Sequence, residues 1–156
     1  MPLNERARVI LDDAKVEYET LPHREAFTAQ GVAAASHVSG WQLAKVVVVT
    51  TARGGPLMAV LPASCRLDLG KLSRVAGLPD LALVPEPDLE RMFPDCEAGA
   101  MPPFGTPYGL PVFVDRCLGK TSQVVFQAGN HHEVIRMGYA DYERLSSARV
   151  ADFCSH

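Results

Sequence analysis

The stretch Leu43-Ala44-Lys45-Val46-Val47-Val48-Val49-Thr50-Thr51 limits the folds open to this chain more than any other. It is rich in β-branched residues and apolar on both faces, the pattern of a central strand covered above and below. Gly54-Gly55 turns it into a second apolar run, Leu57 to Leu61, and the two read as a hairpin. One residue disagrees with this pattern. Side chains alternate along a strand, so Lys45 shares a face with Leu43, Val47 and Val49, where an ammonium group is costly unless it meets a partner or a cavity.

The surrounding segments supply covers for such a sheet. Leu3, Ala7, Ile10, Leu11 and Ala14 fall at helical spacing with Asn4 as a cap, and Val16 to Leu21 alternates as a strand. After a turn at Pro22 and His23, Thr28 caps a second helix through Val32 to Ala35, ending near Ser39 and Gly40. A third helix is predicted over Leu67 to Ala76, ended by Gly77. It is followed by a strand over Leu81 to Val84 and a helix over Asp88 to Phe93. Pro111 to Val114, Gln123 to Gln127 and Glu133 to Met137 read as strands, and Tyr139 to Ser146 as a closing helix. Strands and helices mixed at irregular intervals indicate an α+β fold, and 156 residues without a repeat or long linker fit one domain over 1–156.

Composition narrows the function classes. No apolar run approaches the roughly 20 residues that a membrane span needs. Met1 to Arg8 is too charged for a signal peptide, so a cytoplasmic location is expected. The formal net charge of −3 creates no global positive field for nucleic acid, leaving local clusters such as Arg66, Lys71 and Arg74 for any RNA contact. The four cysteines, Cys65, Cys96, Cys117 and Cys154, are scattered without a Cys-x-x-Cys pair and read as reduced core thiols.

Three further features bear on chemistry. Lys45 either snorkels its head to water from the strand edge or faces a ligand pocket. In a pocket it can act as a cation for a phosphate or carboxylate, or, with a depressed pKa, as a base or Schiff-base nucleophile. Gly99 to Gly109 holds three glycines and three prolines in eleven residues. It is either a plain connection or a shaped loop whose N–H groups are aimed at a carbonyl oxygen. Gly129-Asn130-His131-His132-Glu133 lies at a strand-to-strand turn and offers imidazoles and a carboxylate for orienting a substrate, moving protons or binding metal, besides ordinary turn chemistry. Adjacent His131 and His132 point apart in a strand and have no third ligand at a recognised spacing, which argues against zinc. The aromatics Phe27, Trp41, Phe104 and Tyr108 flank these segments and either pack the core or wall a pocket that stacks an adenine.

Taken in order, Val32-Ala33-Ala34 leading through Ala44-Lys45 into the valine strand, the Gly99-x-x-x-Pro103 loop with Phe104-Gly105, and Ala128-Gly129-Asn130-His131 resemble the YbaK/EbsC superfamily. These proteins are related to the editing insertion domain of bacterial prolyl-tRNA synthetases. The resemblance runs from the opening helix to Leu145 and implies a mixed, mostly antiparallel sheet flanked by helices. It also implies trans-editing, the hydrolysis of the ester joining a wrong amino acid to tRNA. It makes Lys45, Gly99 and His131 the expected catalytic residues. Phe27, Ala100, Met101, Pro102, Pro103, Phe104, Gly129 and Asn130 are the expected substrate-binding residues. The water would be activated by a ribose hydroxyl of the substrate, with Lys45 as a positioning cation. The expected partners are the acceptor end of an aminoacyl-tRNA and, as a candidate recruiter, a synthetase. No cofactor, metal, membrane or DNA is expected, and the chain is expected to be a monomer. Val46 stands where a polar residue is frequent in relatives, which leaves alanine, serine and threonine esters all open. A noncatalytic module that holds aminoacyl-tRNA, a nucleotide or a synthetase in the same cleft is the alternative.

Overall fold

The first helix, α1 (Glu5–Ala14), begins where Asn4 accepts the Ala7 N–H at 2.9 Å and ends at Lys15 in the left-handed conformation. The structure is a computed structural model that describes residues 2–155. Strand β1 (Tyr18–Pro22) starts two residues later than the alternation from Val16 predicts. Helix α2 (Ala29–Ala35) is capped by Thr28 as expected but stops short of Ser39, because Ser36 closes it and His37 turns left-handed at φ 58°.

The hairpin is present as β2 (Leu43–Thr50) and β3 (Leu57–Pro62), antiparallel, with Val49 opposite Leu57 and Lys45 opposite Leu61. After β4 (Arg66–Leu67), Asp68 caps α3 (Leu69–Ala76) and Gly77 ends it. Leu67 therefore lies in a strand rather than in the helix predicted to begin there. Then come β5 (Ala82–Leu83) and α4 (Glu86–Met92), whose first turn contains Pro87, a position where the missing N–H is harmless. The Gly/Pro segment contains one 3₁₀ turn, Thr106–Tyr108, and leads into β6 (Val112–Asp115). The chain closes with a 3₁₀ turn at Arg116–Lys120, β7 (Gln123–Gln127), β8 (Glu133–Gly138), α5 (Tyr139–Ser146), β9 (Arg149–Ala151) and β10 (Cys154–Ser155). Strands β4, β9 and β10 are two or three residues long, too short to display an alternation in sequence.

The main sheet has the order β1-β8-β7-β2-β3-β6-β9, with β5 also on β2, while β4 and β10 form a separate pair. β7 on β2, β6 on β3 and β9 on β6 are parallel, and the other pairs are antiparallel. This is the mixed α+β sheet expected, with five α-helices among the described residues. No helix in that range is long and apolar enough to cross a membrane.

The two faces of the sheet are covered differently. One face presents Ala44, Val48, Met58, Val60, Val114, Phe126 and Ile135 to a single core closed by α1, α5 and the loop residues Met101 and Phe104. The opposite face is covered in two separate patches. Val32 and Ala33 of α2 pack over Leu43, Val125 and Val134. Leu72 of α3, with Phe153 and Cys154, packs over Val49, Ala59, Leu61 and Phe113. Lys45 follows Leu43 on this face and precedes Val47, so it stands between the two patches.

Candidate functional site

Strand pairing parts at the same place. β3 pairs with β2 from Ala44 to Val49, but the other edge of β2 is shared. β7 pairs there only with Leu43 and Ala44, and β5 only with Val49 and Thr50. Among the described residues, Lys45 to Val47 have no ladder partner on that edge. The sheet is thus open at Lys45 both along its edge and on its face, which is the physical reason a charge is tolerated inside the valine run. The side chain is half-buried, and Nζ donates to the carbonyl oxygen of Cys65 at 2.5 Å. Burial holds its pKa below the ordinary lysine value, and the positive charge of Arg66 acts in the same direction.

A second group forms at the turn after β7. The His131 ring is buried, with Nε2 2.7 Å from the carbonyl oxygen of Ala98 and Nδ1 3.2 Å from the side-chain nitrogen of Gln127. Phe27, itself exposed, sets its ring 4.9 Å from the imidazole. A Cβ on Gly99 would lie 3.9 Å from His131 Cε1, so Gly99 borders the same ring. The Gly99 N–H has no hydrogen-bond partner among the described residues. Gly99, His131 and Phe27 are therefore brought together, as neighbours in space from three distant segments.

Gln127 is the member of this group whose strand approaches Lys45. In the parallel pairing, Leu43 lies beside Val125 and Ala44 beside Phe126, so a ladder continued by one position would pair Gln127 with Lys45, both on the face of Leu43 and Val125. The ladder stops one pair before that point. Sequence reasoning does not single out Gln127, because a glutamine at a strand end has no distinctive pattern. Only the pairing of β7 with β2 gives it meaning.

The remaining expected residues contribute differently. Ala100, Met101, Pro102, Pro103 and Phe104 are all buried, and Phe104 meets Phe126 and Tyr142 at ring distances of 5.6 and 5.5 Å. Pro103 accepts the Tyr142 hydroxyl at 2.9 Å. The side chains of Met101 and Phe104 belong to the core of the other face, so what this segment can present to the Lys45 opening is backbone. Asn130 organises the turn: its Oδ1 accepts the N–H groups of His132 and Glu133 at 3.1 and 2.9 Å. Tyr108 is engaged elsewhere, with Asn4 and Asp95 at 3.1 Å each. Trp41 is exposed just before β2.

Gly129 ties the turn to the Gly/Pro loop. Its N–H donates to Ala100 at 2.7 Å and its carbonyl accepts from Glu97 at 2.8 Å. It sits at φ 105°, and a Cβ there would lie 3.1 Å from Asn4 Cβ and 3.2 Å from its backbone nitrogen. Gly129→Ala is therefore expected to lower stability by about 2 to 3 kcal/mol, measured by urea unfolding, through backbone strain and crowding together. An unchanged midpoint would mean that the loop and turn yield easily.

The cysteines are poor nucleophile candidates. Burial pushes the Cys96 thiol up to about 11, and it raises Cys117 and Cys154 as well. Among the described residues no group of three or more His, Cys, Asp or Glu side chains is arranged to hold a metal ion. His132 faces Glu133 at 3.6 Å, away from the contacts of His131. Three clefts of about 590, 610 and 600 Å³ lie along α1 with Asp95, beside Tyr18 with Arg136, and between Arg6 and Pro107, and none of the three includes Lys45 or His131.

Comparison with known proteins gives three findings. The model of the aminoacyl-tRNA editing domain family matches residues 23–145. A protein of Enterococcus faecalis described as a candidate Cys-tRNA(Pro)/Cys-tRNA(Cys) deacylase, EbsC, is 24% identical over 136 residues, covering 87% of this chain and 82% of its own. Among solved structures, a candidate trans-editing enzyme for prolyl-tRNA synthetase is 25% identical with a TM-score of 0.81, covering 97% of this chain and 96% of that one. The hypothetical protein APE2540 shares the fold at 21% identity and a TM-score of 0.86, covering 96% and 99%.

Proposed function

Because this chain belongs to the aminoacyl-tRNA editing domain family, whose substrate is aminoacyl-tRNA, we propose that it is a trans-editing deacylase that removes a small mischarged amino acid. The observation that carries this is Lys45, a cation standing where both the strand pairing and the covers of the sheet open. An ammonium there can hold the phosphate or ester end of a charged tRNA terminus. The Gly99 N–H, without a partner among the described residues, is suited to donate to the developing oxyanion as water attacks the ester carbonyl. Phe27 offers an exposed face on which the terminal adenine can stack. With few other ionisable groups near Lys45, a ribose hydroxyl of the substrate is the natural activator of the water.

Each methylene in the amino acid changes binding by only about 1 to 3 kcal/mol, so one pocket of this kind accepts a narrow range of small side chains. Alanine, serine and threonine esters fit this class, and the cysteine named for the Enterococcus relative joins them. The prolyl relationship makes tRNA(Pro) the first acceptor to test. The protein is expected to act as a monomer, with a synthetase as its recruiting partner.

The decisive experiment is a deacylation screen with tRNA(Pro) carrying alanine, serine, threonine or cysteine, and prolyl-tRNA(Pro) as the cognate control. Release of at least one noncognate amino acid, unaffected by a chelator, is expected. Binding of charged tRNA without turnover would instead favour a module that only holds the aminoacyl end. Loss of turnover on chelation would overturn the metal-independent mechanism.

A further inference from the structure

The contacts of His131 determine its protonation form. The Ala98 carbonyl oxygen can only accept, so Nε2 carries a hydrogen. The ring is buried, and the atom that faces Nδ1 is the amide nitrogen of Gln127, a donor. The neutral form with hydrogen on Nε2 satisfies both contacts at once. A ring held in this way has no free nitrogen with which to take a proton from water, so its function must be exerted through what it holds.

We propose that Gln127 is a positioning residue for the editing reaction. Through His131 it fixes the Ala98-Gly99 segment, and with it the Gly99 N–H, beside the opening at Lys45. The link to catalysis rests on the deacylase function proposed above, whereas the link from Gln127 to Gly99 does not. The chain of contacts is continuous: Gln127 to Nδ1, Nε2 to Ala98, and Gly99 against the ring edge at Cε1. Gly129 holds the far side of the same segment through Ala100 and Glu97, so the end of β7 grips the loop at two points. Gln127 is also the β7 residue that follows, in register, the last pair with β2, one position beyond Ala44 and Phe126 and so on the side of Lys45. A displacement of about 1 Å between such groups is enough to lower a rate by roughly a hundredfold.

The test uses the full chain, its Gln127→Met variant and its Gln127→Glu variant. Both replacements are close to glutamine in size, which protects the strand. Long-range ¹H–¹⁵N spectra report the His131 ring, the Gly99 amide resonance reports the loop, and kcat and KM are measured separately on charged tRNA. The parent ring is expected to carry its hydrogen on Nε2. Methionine cannot donate, so Gln127→Met should leave Nδ1 without its hydrogen-bond donor, move the Nδ1 resonance while the hydrogen stays on Nε2, shift the Gly99 amide, and lower kcat by roughly tenfold to a hundredfold while KM changes by less than about threefold. The carboxylate of Gln127→Glu should draw a second hydrogen onto Nδ1, visible in the ring spectrum, with kcat lowered in the same way.

A parent ring with its hydrogen on Nδ1 would overturn the proposal. So would altered ring and Gly99 signals with unchanged kcat, or a lost kcat with unaltered signals. If the parent releases no amino acid from any charged tRNA while the ring and Gly99 respond as described, the deacylase function falls. In that case the coupling of Gln127 to Gly99 is supported.

Discussion

Replacing Lys45 with alanine is expected to lower kcat/KM for deacylation by about 10²- to 10³-fold while leaving the unfolding midpoint close to that of the parent. The catalytic loss follows from removing a positioned cation in a partly dehydrated setting, worth about 3 to 4 kcal/mol in comparable sites. The small effect on stability follows from the same geometry. Among the described residues the ammonium has one hydrogen bond, to the Cys65 carbonyl oxygen, and burial already works against its charge. Lys45→Arg separates the possible roles, since it keeps a cation but cannot supply a neutral amine. Partial activity in that variant is expected. The pH dependence gives an independent sign: a working ammonium loses activity as pH rises through its lowered pKa, whereas a working amine gains it. Full activity in Lys45→Ala would remove the lysine from the mechanism altogether.

The largest stability effect is expected at Asp115, a residue that has no evident role in the site. Its carboxylate is fully buried, and its oxygens accept the N–H groups of Phe153, Cys154 and Cys117 at 2.8, 3.0 and 2.9 Å. These bonds bind the C-terminal segment to β6 and so hold the cover that closes one side of the Lys45 opening. Asp115→Ala leaves three buried donors without a partner and is expected to cost about 3 to 5 kcal/mol, read by urea unfolding. Asp115→Asn keeps an acceptor at one oxygen and should lose less.

Burial alone would raise the Asp115 pKa, but the hydrogen bonds from Phe153 and Cys117 outweigh it and the net shift is downward. A carboxylate with a depressed folded-state pKa adds stability above its unfolded value of about 3.9 and loses it as pH falls through the folded value. The parent should therefore lose stability more steeply than Asp115→Asn when pH is lowered from about 5 towards 2. Parallel pH dependences in the two proteins would contradict this assignment.

Local signals in the chain locate most of the elements. Asn4 and Thr28 cap α1 and α2, Gly77 ends α3, and the valine run forms β2 paired with β3, because caps, breakers and alternation act over a few residues. The same signals misplace Leu67 and overlook β9 and β10, whose existence depends on partners far away in sequence. Phe104 illustrates a different limit. An aromatic beside a Gly/Pro loop fits a pocket wall or the core equally well, and its contacts with Phe126 and Tyr142 assign it to the core.

By itself the sequence determines that a lysine interrupts a buried strand, that a rigid Gly/Pro loop and a Gly-Asn-His turn accompany it, and that the chain resembles editing domains. How these features are placed relative to one another is decided only in three dimensions. The parallel pairing of β7 with β2 ends one position before Lys45 and Gln127, and α2 and α3 cover the sheet in two patches that leave the lysine between them. Periodicity specifies which face a side chain takes. Which strand lies alongside, and where the covering helices stop, depend on packing between residues that are distant in the chain and carry no local mark of one another.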